Sequence, residues 1–365
     1  MSSFAGGGSS APRLHHQVGA DTDIGGGREN QDDYFIWRGQ DGSILVLCVL
    51  DGHGREVGKI AANAANASLR EYFETNHHLL RINPYDCLVD AHEVAHRRIK
   101  AGFREELEKE GYEVEESPEG YLLKRMPPSQ HWGCVHGGSS CSIVAIVDHM
   151  VYIANVGDSS GTLSSTLPVL STALLRHMGD AASLPDAMMS LAGDSQSTTL
   201  EAPTLGVTQG LVTTETSDEG TTEEMVTENP VSPFQDNLVI TAEHSPESPS
   251  EFCRLRAFRP KPGDPRQPAL AVVYDSPSAD KTKCAPVFSL DGAGVPTVLN
   301  KGKYYKNVRK EWASLVSTPS SARFQDALAF TRSLGDLHLH TFGKAPSPAR
   351  HPPPVVVDHL APPLQ

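Results

Sequence analysis

The feature that most constrains the fold is a pair of apolar runs separated by a two-residue turn. Cys141–Val147 (CSIVAIV) and Met150–Val156 (MVYIANV) are apolar at nearly every position, and Asp148 and His149 lie between them. Runs of this length, rich in β-branched residues and joined by turn residues, predict a β-hairpin. Because both faces of each strand are apolar, we expect the hairpin to be covered on both faces or to lie at the centre of a sheet.

A second pair of apolar runs lies earlier in the chain, at 34–37 (YFIW) and 44–50 (ILVLCVL), with GQDG between them. This pattern predicts another hairpin of buried strands. Between the two hairpins, apolar side chains recur every three to four residues over 57–73 and again over 88–107. That spacing predicts two amphipathic helices.

The composition indicates that part of the chain does not fold tightly. Hydrophobic residues make up 38% of the 365 residues, with 27 prolines and 31 glycines. Residues 1–16 are rich in Gly and Ser, 162–235 is dominated by Ser, Thr, Ala and acidic residues, and 344–365 is rich in Pro. Such segments cannot bury enough apolar surface to offset their ordering entropy. We therefore expect a disordered leader, a disordered acidic insertion with a short helix at 167–178, and a tail without packed elements.

Charge, hydropathy and cysteine usage exclude several classes of protein. The formal net charge of −14 argues against nucleic acid as a partner, which requires a basic surface. No apolar run approaches the roughly 20 residues of a membrane-spanning helix, and the first residues contain no signal-peptide core. The six cysteines are scattered without a CxxC pair and are interpreted as reduced thiols. We expect a cytoplasmic or nuclear protein that does not bind a membrane.

Three aspartates mark places where apolar strands begin or end. Asp32 precedes the first predicted strand, Asp51 ends the second, and Asp158 ends the later hairpin. Carboxylates that converge at strand ends offer the oxygen ligands preferred by Mg²⁺ and Mn²⁺, and two such ions activate water for phosphoester hydrolysis. His53 lies two residues after Asp51, so we expect its side chain near the same site, where it could protonate the leaving group. For any one of these aspartates alone, ordinary Asp-Gly turn chemistry is the commoner explanation.

Six short sequence motifs, here called blocks, and their order along the chain narrow the interpretation of the chain's function. They read RENQD, DGHG, GGSSC, IANVGDS, EHSP followed by Glu251 and Arg254, and ALAFTRSLGD. In this order the blocks resemble the metal-dependent serine/threonine protein phosphatases, the PPM or type 2C family. The resemblance covers roughly residues 17–343, interrupted by the insertion and by an enlarged segment at 257–325.

The resemblance implies an α+β fold, a four-layer α-β-β-α sandwich of two antiparallel sheets flanked by helices. It implies that a metal-activated water hydrolyses phosphoserine and phosphothreonine in phosphoprotein substrates, with Mg²⁺ or Mn²⁺ as cofactor and the chain as a monomer. Asp51 matches the bridging metal ligand, Gly52 supplies its backbone carbonyl, and Asp32 matches the acidic residue of the first block. Asp158 matches the ligand of a third metal, and His53 matches the general acid. Arg28 is the candidate phosphate-binding arginine.

The sequence also departs from the family pattern. Arg28 lies one residue closer to Asp32 than the usual phosphate-binding arginine, Gln31 stands where many relatives have Glu, and Ser160 replaces an arginine. The later SDG block and the final Asp-Asn block, each with a metal aspartate, are absent after Gly343. We therefore expect a C-terminally incomplete domain that holds its second metal weakly, with low stability and low activity. A non-catalytic phosphatase-like binding protein and a truncated gene model of an active enzyme are the alternatives.

Three other features have simpler interpretations. Glu251 and Arg254, three residues apart on a short predicted helix, are expected to form a weak pair on the helix surface. Asp336 after Gly335 is expected either to fix a turn or to assist the metal site. His131 and His136 lack a second ligand pair for zinc and are expected to be loop residues.

Overall fold

The computed structural model describes residues 16–40, 42–148, 150–165, 175–176, 236–241, 244–302, 312–343 and 355–357. The leader, except His16, lies outside the described residues, as do most of the insertion and most of the tail. Helices and antiparallel sheets are combined in one chain, so the fold is α+β, as the resemblance implied.

The helices and strands alternate along the chain. The helices are α1 (Gly58–Asn76), α2 (Leu79–Ile82), α3 (Pro84–Lys109), α4 (Pro249–Phe258) and α5 (Leu337–Gly343), with a 3₁₀ turn at Lys281–Lys283. The first ten strands are β1 (Asp32–Arg38), β2 (Ile44–His53), β3 (Glu113–Glu116), β4 (Leu122–Arg125), β5 (Gly133–Cys134), β6 (Gly138–Ser139), β7 (Cys141–Val147), β8 (Met150–Val156), β9 (Thr162–Ser165) and β10 (Leu175–Arg176). The others are β11 (Asp236–Val239), β12 (Pro260–Lys261), β13 (Asp264–Pro268), β14 (Ala271–Tyr274), β15 (Phe288–Leu290), β16 (Pro296–Val298), β17 (Ser314–Ser317), β18 (Ala327–Leu328), β19 (Leu334–Gly335) and β20 (Val355–Val357).

An eight-stranded sheet organises the fold. Its strands lie in the order β10-β20-β8-β7-β2-β6-β19, and β1 pairs with β2. The predicted β7–β8 hairpin is confirmed, and its central position is confirmed because β7 lies between β8 and β2. The remaining described strands form two- and three-stranded antiparallel sheets. The four-layer arrangement of two large sheets stays a prediction.

The two predicted helices α1 and α3 pack against each other and form the main core with the sheet. The helix α3 begins where the Asn83 side chain accepts a hydrogen bond from the Asp86 amide at 3.2 Å, with Pro84 in its first turn. Phe35 of β1 and Phe73 of α1 are buried, with ring centroids 6.3 Å apart. The three-to-four spacing of apolar residues thus buries one face of each helix against the strands.

A second, smaller core lies in the enlarged segment. The helix α4 contributes Phe252 and Leu255, which pack with Val272 of β14 and with Leu270 and Val287, the residues just before β14 and β15. The enlarged segment therefore forms an apolar cluster together with α4. None of the described helices is long and apolar enough to cross a membrane.

Three segments differ from the sequence predictions. Thr162–Ser165 form β9, which pairs with Asp236–Val239 and so joins the two ends of the acidic insertion. Leu175–Arg176 form a strand, so the helix predicted over 167–178 is wrong at those two residues. Val355–Val357 pair with β8, although the tail was expected to contain no packed element. Strand pairing depends on a distant partner, which the local composition of these segments does not indicate.

Truncation of a core side chain on α3 tests this packing. Phe103 is 0% exposed, so Phe103→Ala is expected to lower the free energy of unfolding by about 3–5 kcal/mol, through lost burial and the cavity left behind. Urea denaturation measures the change. Ile82 is 74% exposed, and Ile82→Ala, the matched control, is expected to change stability by no more than about 0.5 kcal/mol. Equal losses in the two variants would contradict the placement of α3.

Candidate functional site

Two of the predicted metal ligands lie opposite each other on paired strands. Asp32 begins β1, and the antiparallel register places it directly across from Asp51 of β2. Opposite residues on paired strands have their side chains about 5 Å apart at Cβ. Both aspartates therefore lie within strands, and β2 continues to His53 instead of ending at Asp51.

The charges at this position raise the pKa of Asp51. Asp51 keeps solvent contact, but partial burial, followed by the negative charges of Asp32 and Asp158, raises its pKa to about 6. The charges of two predicted ligands, Asp32 and Asp158, therefore both act on the third, the Asp51 carboxylate. In the part of the chain that the structure describes, none of the three forms an ion pair with Lys or Arg.

Hydrogen bonds connect the strand that carries Asp51 to the turn that carries Asp158. The Ser140 amide donates to the Asp51 carbonyl at 2.9 Å, and the Asp51 amide donates to Ser140 Oγ at 3.2 Å. Ser140 Oγ in turn lies 2.7 Å from Ser159 Oγ. The GGSSC and ANVGDS blocks are thus joined through one serine hydroxyl.

The donor set fits a hydrated divalent cation. Mg²⁺ usually keeps several waters and is bound through one or two carboxylates, and Asp32 and Asp51 offer two. A group of three or more His, Cys, Asp or Glu side chains able to hold a metal ion is not found within the described ranges. Asp32 and Asp51 therefore fit a partly hydrated cation.

His53 forms a close pair with Asp336. His53 Nε2 lies 2.9 Å and 2.8 Å from the two carboxylate oxygens of Asp336, which is 3% exposed. Burial opposes protonation of His53, but the Asp336 hydrogen bond and the charges of Asp336, Asp51 and Asp158 outweigh it and raise the pKa of His53. His53 Nδ1 is buried and has no hydrogen-bond partner among the described residues. Asp336 thus contacts the histidine from its position between β19 and α5, where its φ is 40°.

Arg28 and Gln31 both lie in the segment just before β1. Arg28 is exposed, and within the described ranges it forms no hydrogen bond or ion pair. Gln31 Nε2 donates to the Gly54 carbonyl at 2.9 Å, and the Gln31 carbonyl accepts from the Gly52 amide at 3.3 Å. Gln31 therefore holds the DGHG turn against the start of β1.

Gly52 is required by close backbone approach. A Cβ added there would lie 2.3 Å from the Gly58 carbonyl oxygen and 2.6 Å from the Gln31 carbonyl oxygen. Both contacts are with backbone, which cannot move aside as a flexible side chain can. Gly52 thus lets β1, β2 and the start of α1 meet beside Asp51.

The interpretation of Glu251 and Arg254 as a weak surface pair is wrong. Glu251 is 3% exposed, and its carboxylate accepts hydrogen bonds from Arg254, Arg332 and Thr331. The helix spacing correctly predicts the Arg254 contact, but it gives no sign that the pair is buried. Arg332 and Thr331 come from the ALAFTRSLGD block some 80 residues later, and no local pattern indicates that they meet α4.

Replacement of Gly52 tests the close approach at the site. Gly52→Ala is expected to destabilise the fold by about 1–3 kcal/mol, because a buried backbone contact must be displaced. Gly26→Ala is the matched control, since a Cβ there would meet nothing within 4 Å. Thermal unfolding of both variants measures the difference. A Gly52→Ala protein as stable as Gly26→Ala would contradict the described approach.

A buried histidine predicts acid sensitivity. Burial, followed by the charge of Arg332, lowers the pKa of His244 from 6.5 to about 3. The unfolded chain then binds a proton that the folded chain does not, so His244 removes stability as pH falls from about 6.5 toward 3, by up to about 1.4 kcal/mol per pH unit.

Urea denaturation between pH 6.5 and 4.5 measures this slope. Relative to wild type, His244→Asn is expected to lose less stability over that range, because Asn cannot take up a proton. Parallel pH profiles for the two proteins would contradict the prediction.

Comparisons with known proteins give structural likeness without a sequence family. No family profile and no curated protein matches the chain. Similar solved structures include serine-threonine phosphatase 2C from Toxoplasma gondii, at 13% identity and a TM-score of 0.43 over 94% of this chain and 73% of that one. A bacterial serine phosphatase matches at 20% identity and a TM-score of 0.30, over 40% and 49%. Stp1 from Staphylococcus aureus matches at 19% identity and a TM-score of 0.28, over 42% and 53%. The chain spans about half the length of these bacterial phosphatases, and likeness at these values does not identify its family.

Proposed function

We propose that this chain is a metal-dependent protein phosphatase that hydrolyses phosphoserine and phosphothreonine in phosphoproteins. The observation that carries the proposal is the apposition of Asp32 and Asp51 across paired strands, with the charge of Asp158 acting on the same point. Carboxylates crowded in this way, without ion pairs to Lys or Arg among the described residues, favour the binding of a divalent cation.

Asp32 and Asp51 would hold the cation through their carboxylates, and Gly52 would offer its backbone carbonyl. Asp158 would add negative charge on the far side of the Ser140–Ser159 contact and serve a more weakly held cation. A bound Mg²⁺ or Mn²⁺ supplies Lewis acidity, which polarises a phosphoryl oxygen and lowers the pKa of water. The chain's own residues then fix the phosphate and move the proton that the leaving alkoxide requires.

His53 is the residue proposed to supply that proton. Its raised pKa favours the protonated ring more than in an isolated histidine, and Asp336 holds Nε2 so that the ring keeps one orientation. The proton available for transfer is then on Nδ1, which is buried in this state. Substrate binding would have to uncover Nδ1, so the proposal requires a small movement beside Phe330, whose ring lies 5.2 Å from that of His53.

Phosphate binding by Arg28 stays a proposal. The exposed guanidinium is not engaged by other described residues and is available to an anion near Asp32. A phosphatase-like binding protein is the second candidate function. It is favoured by the donor set, which suits one hydrated cation where a two-ion phosphatase needs more carboxylates.

Cation binding and turnover are expected to depend together on Asp51. Mn²⁺ or Mg²⁺ at 100 times its dissociation constant is expected to stabilise the wild-type chain by about 2.7 kcal/mol, measured by thermal unfolding, and to support phosphate release from a phosphothreonine peptide. Asp51→Asn is expected to lose both effects. Because it removes a carboxylate with a raised pKa, it should also stabilise the cation-free protein at pH 7.5.

Asp90→Asn, on the exposed side of α3, is the matched control and should retain both effects. Cation stabilisation and phosphopeptide binding without turnover would favour the binding protein. Absence of any cation effect in wild type would overturn the metal site.

A further inference from the structure

Four residues from two distant parts of the chain form a largely buried ionic cluster, here called the Glu251 cluster: Glu251, Arg254, Thr331 and Arg332. Arg254 Nη2 donates to Glu251 Oε2 at 2.8 Å, and Arg332 Nε donates to the same oxygen at 3.0 Å. The Thr331 hydroxyl also donates to Glu251. The Arg254 and Arg332 side chains are only 22% and 13% exposed, and the Glu251 side chain is 4% exposed. Two guanidinium groups thus share one carboxylate away from most solvent.

The Glu251 cluster joins the two segments that carry Asp158 and Asp336. The Thr331 amide donates to the His244 carbonyl at 2.9 Å, and Arg254 Nη2 donates to the Thr331 carbonyl at 3.0 Å. His244 Nδ1 lies 3.2 Å from the Gly157 carbonyl, next to Asp158. On the other side of Thr331, Phe330 packs edge-on against His53, and Asp336 lies five residues further along.

We propose that Glu251 and Thr331 are positioning residues for the candidate site, a role that rests on the proposed function. The hydrogen bonds around Glu251 hold the 330–336 segment in one arrangement. Another arrangement would leave a buried charge without a partner, which is costly. The observed arrangement sets Phe330 and Asp336 against His53. The cluster touches neither Asp32 nor Asp51 in the described contacts, so it acts through the segment alone.

Thr331→Val tests the role without changing charge. The valine keeps the shape of threonine but loses the hydroxyl donor, so the segment should be less firmly held. We expect kcat for the phosphothreonine peptide to fall about tenfold, with KM changed less than about twofold, because orientation is lost while binding is kept. Thr282→Val is the matched control. It removes a threonine hydroxyl hydrogen bond to Asp280 in the distant 3₁₀ turn and should leave kcat unchanged.

A second measurement does not require turnover. The Asp336 amide donates to the Gly137 carbonyl at 2.8 Å, so its hydrogen exchange reports how firmly the segment is held. In Thr331→Val, exchange at Asp336 should accelerate about tenfold and the imidazole ¹⁵N signals of His53 should shift, while amides of the β7–β8 hairpin keep their rates. Glu251→Gln, where it folds, should show larger changes of the same kind.

The outcomes separate the two proposals. If Thr331→Val shows faster exchange at Asp336 and shifted His53 signals, positioning is supported. If the wild-type chain at the same time shows no turnover, the phosphatase function is contradicted. Unchanged exchange and unchanged His53 signals in folded Thr331→Val would overturn the positioning role, whatever the activity. A kcat for Thr331→Val no lower than that for Thr282→Val would overturn the positioning role as well.

Discussion

The electrostatic repulsion between Asp32 and Asp51 is the interaction on which the candidate site depends. Pairing of β1 with β2 places Asp32 and Asp51 opposite each other in the antiparallel register. The raised pKa of Asp51 is an electrostatic cost, caused first by partial burial and then by the charges of Asp32 and Asp158. The apolar residues of the same strands, which are buried in the main core, compensate for it. A divalent cation would convert the repulsion into attraction at the same position.

Close backbone contacts and hydrogen bonds hold the residues around Asp51 and His53 in place. Gly52 allows three elements to approach within contact distance, and Ser140 links the β2 strand to the turn of Asp158. Asp336 orients His53 from the far end of the chain. Besides any direct contact of the Gly52 carbonyl with a cation, each of these groups limits where a ligand or a proton donor can lie. The catalytic proposal therefore depends as much on these supporting contacts as on the carboxylates.

The Glu251 cluster illustrates what a helical sequence pattern can and cannot reveal. Spacing on α4 predicts that Glu251 and Arg254 meet, and they do. Whether such a pair is weak or strongly constrained depends on its burial and its other partners, and here Thr331 and Arg332 of a distant block also bind the buried Glu251. The structure thus joins the EHSP and ALAFTRSLGD blocks through one carboxylate.

The sequence by itself determined the β7–β8 hairpin, the two long helices and the proximity of Asp51 to His53, because hydrophobic period and chain adjacency are local properties. Its motifs also indicated which aspartates are candidate metal ligands. Only the tertiary structure decided that Asp32 faces Asp51, that Asp336 holds His53 and that Val355–Val357 joins the sheet. Those contacts join residues far apart in the chain, and their energy comes from register, burial and desolvation, which exist only once the chain has folded.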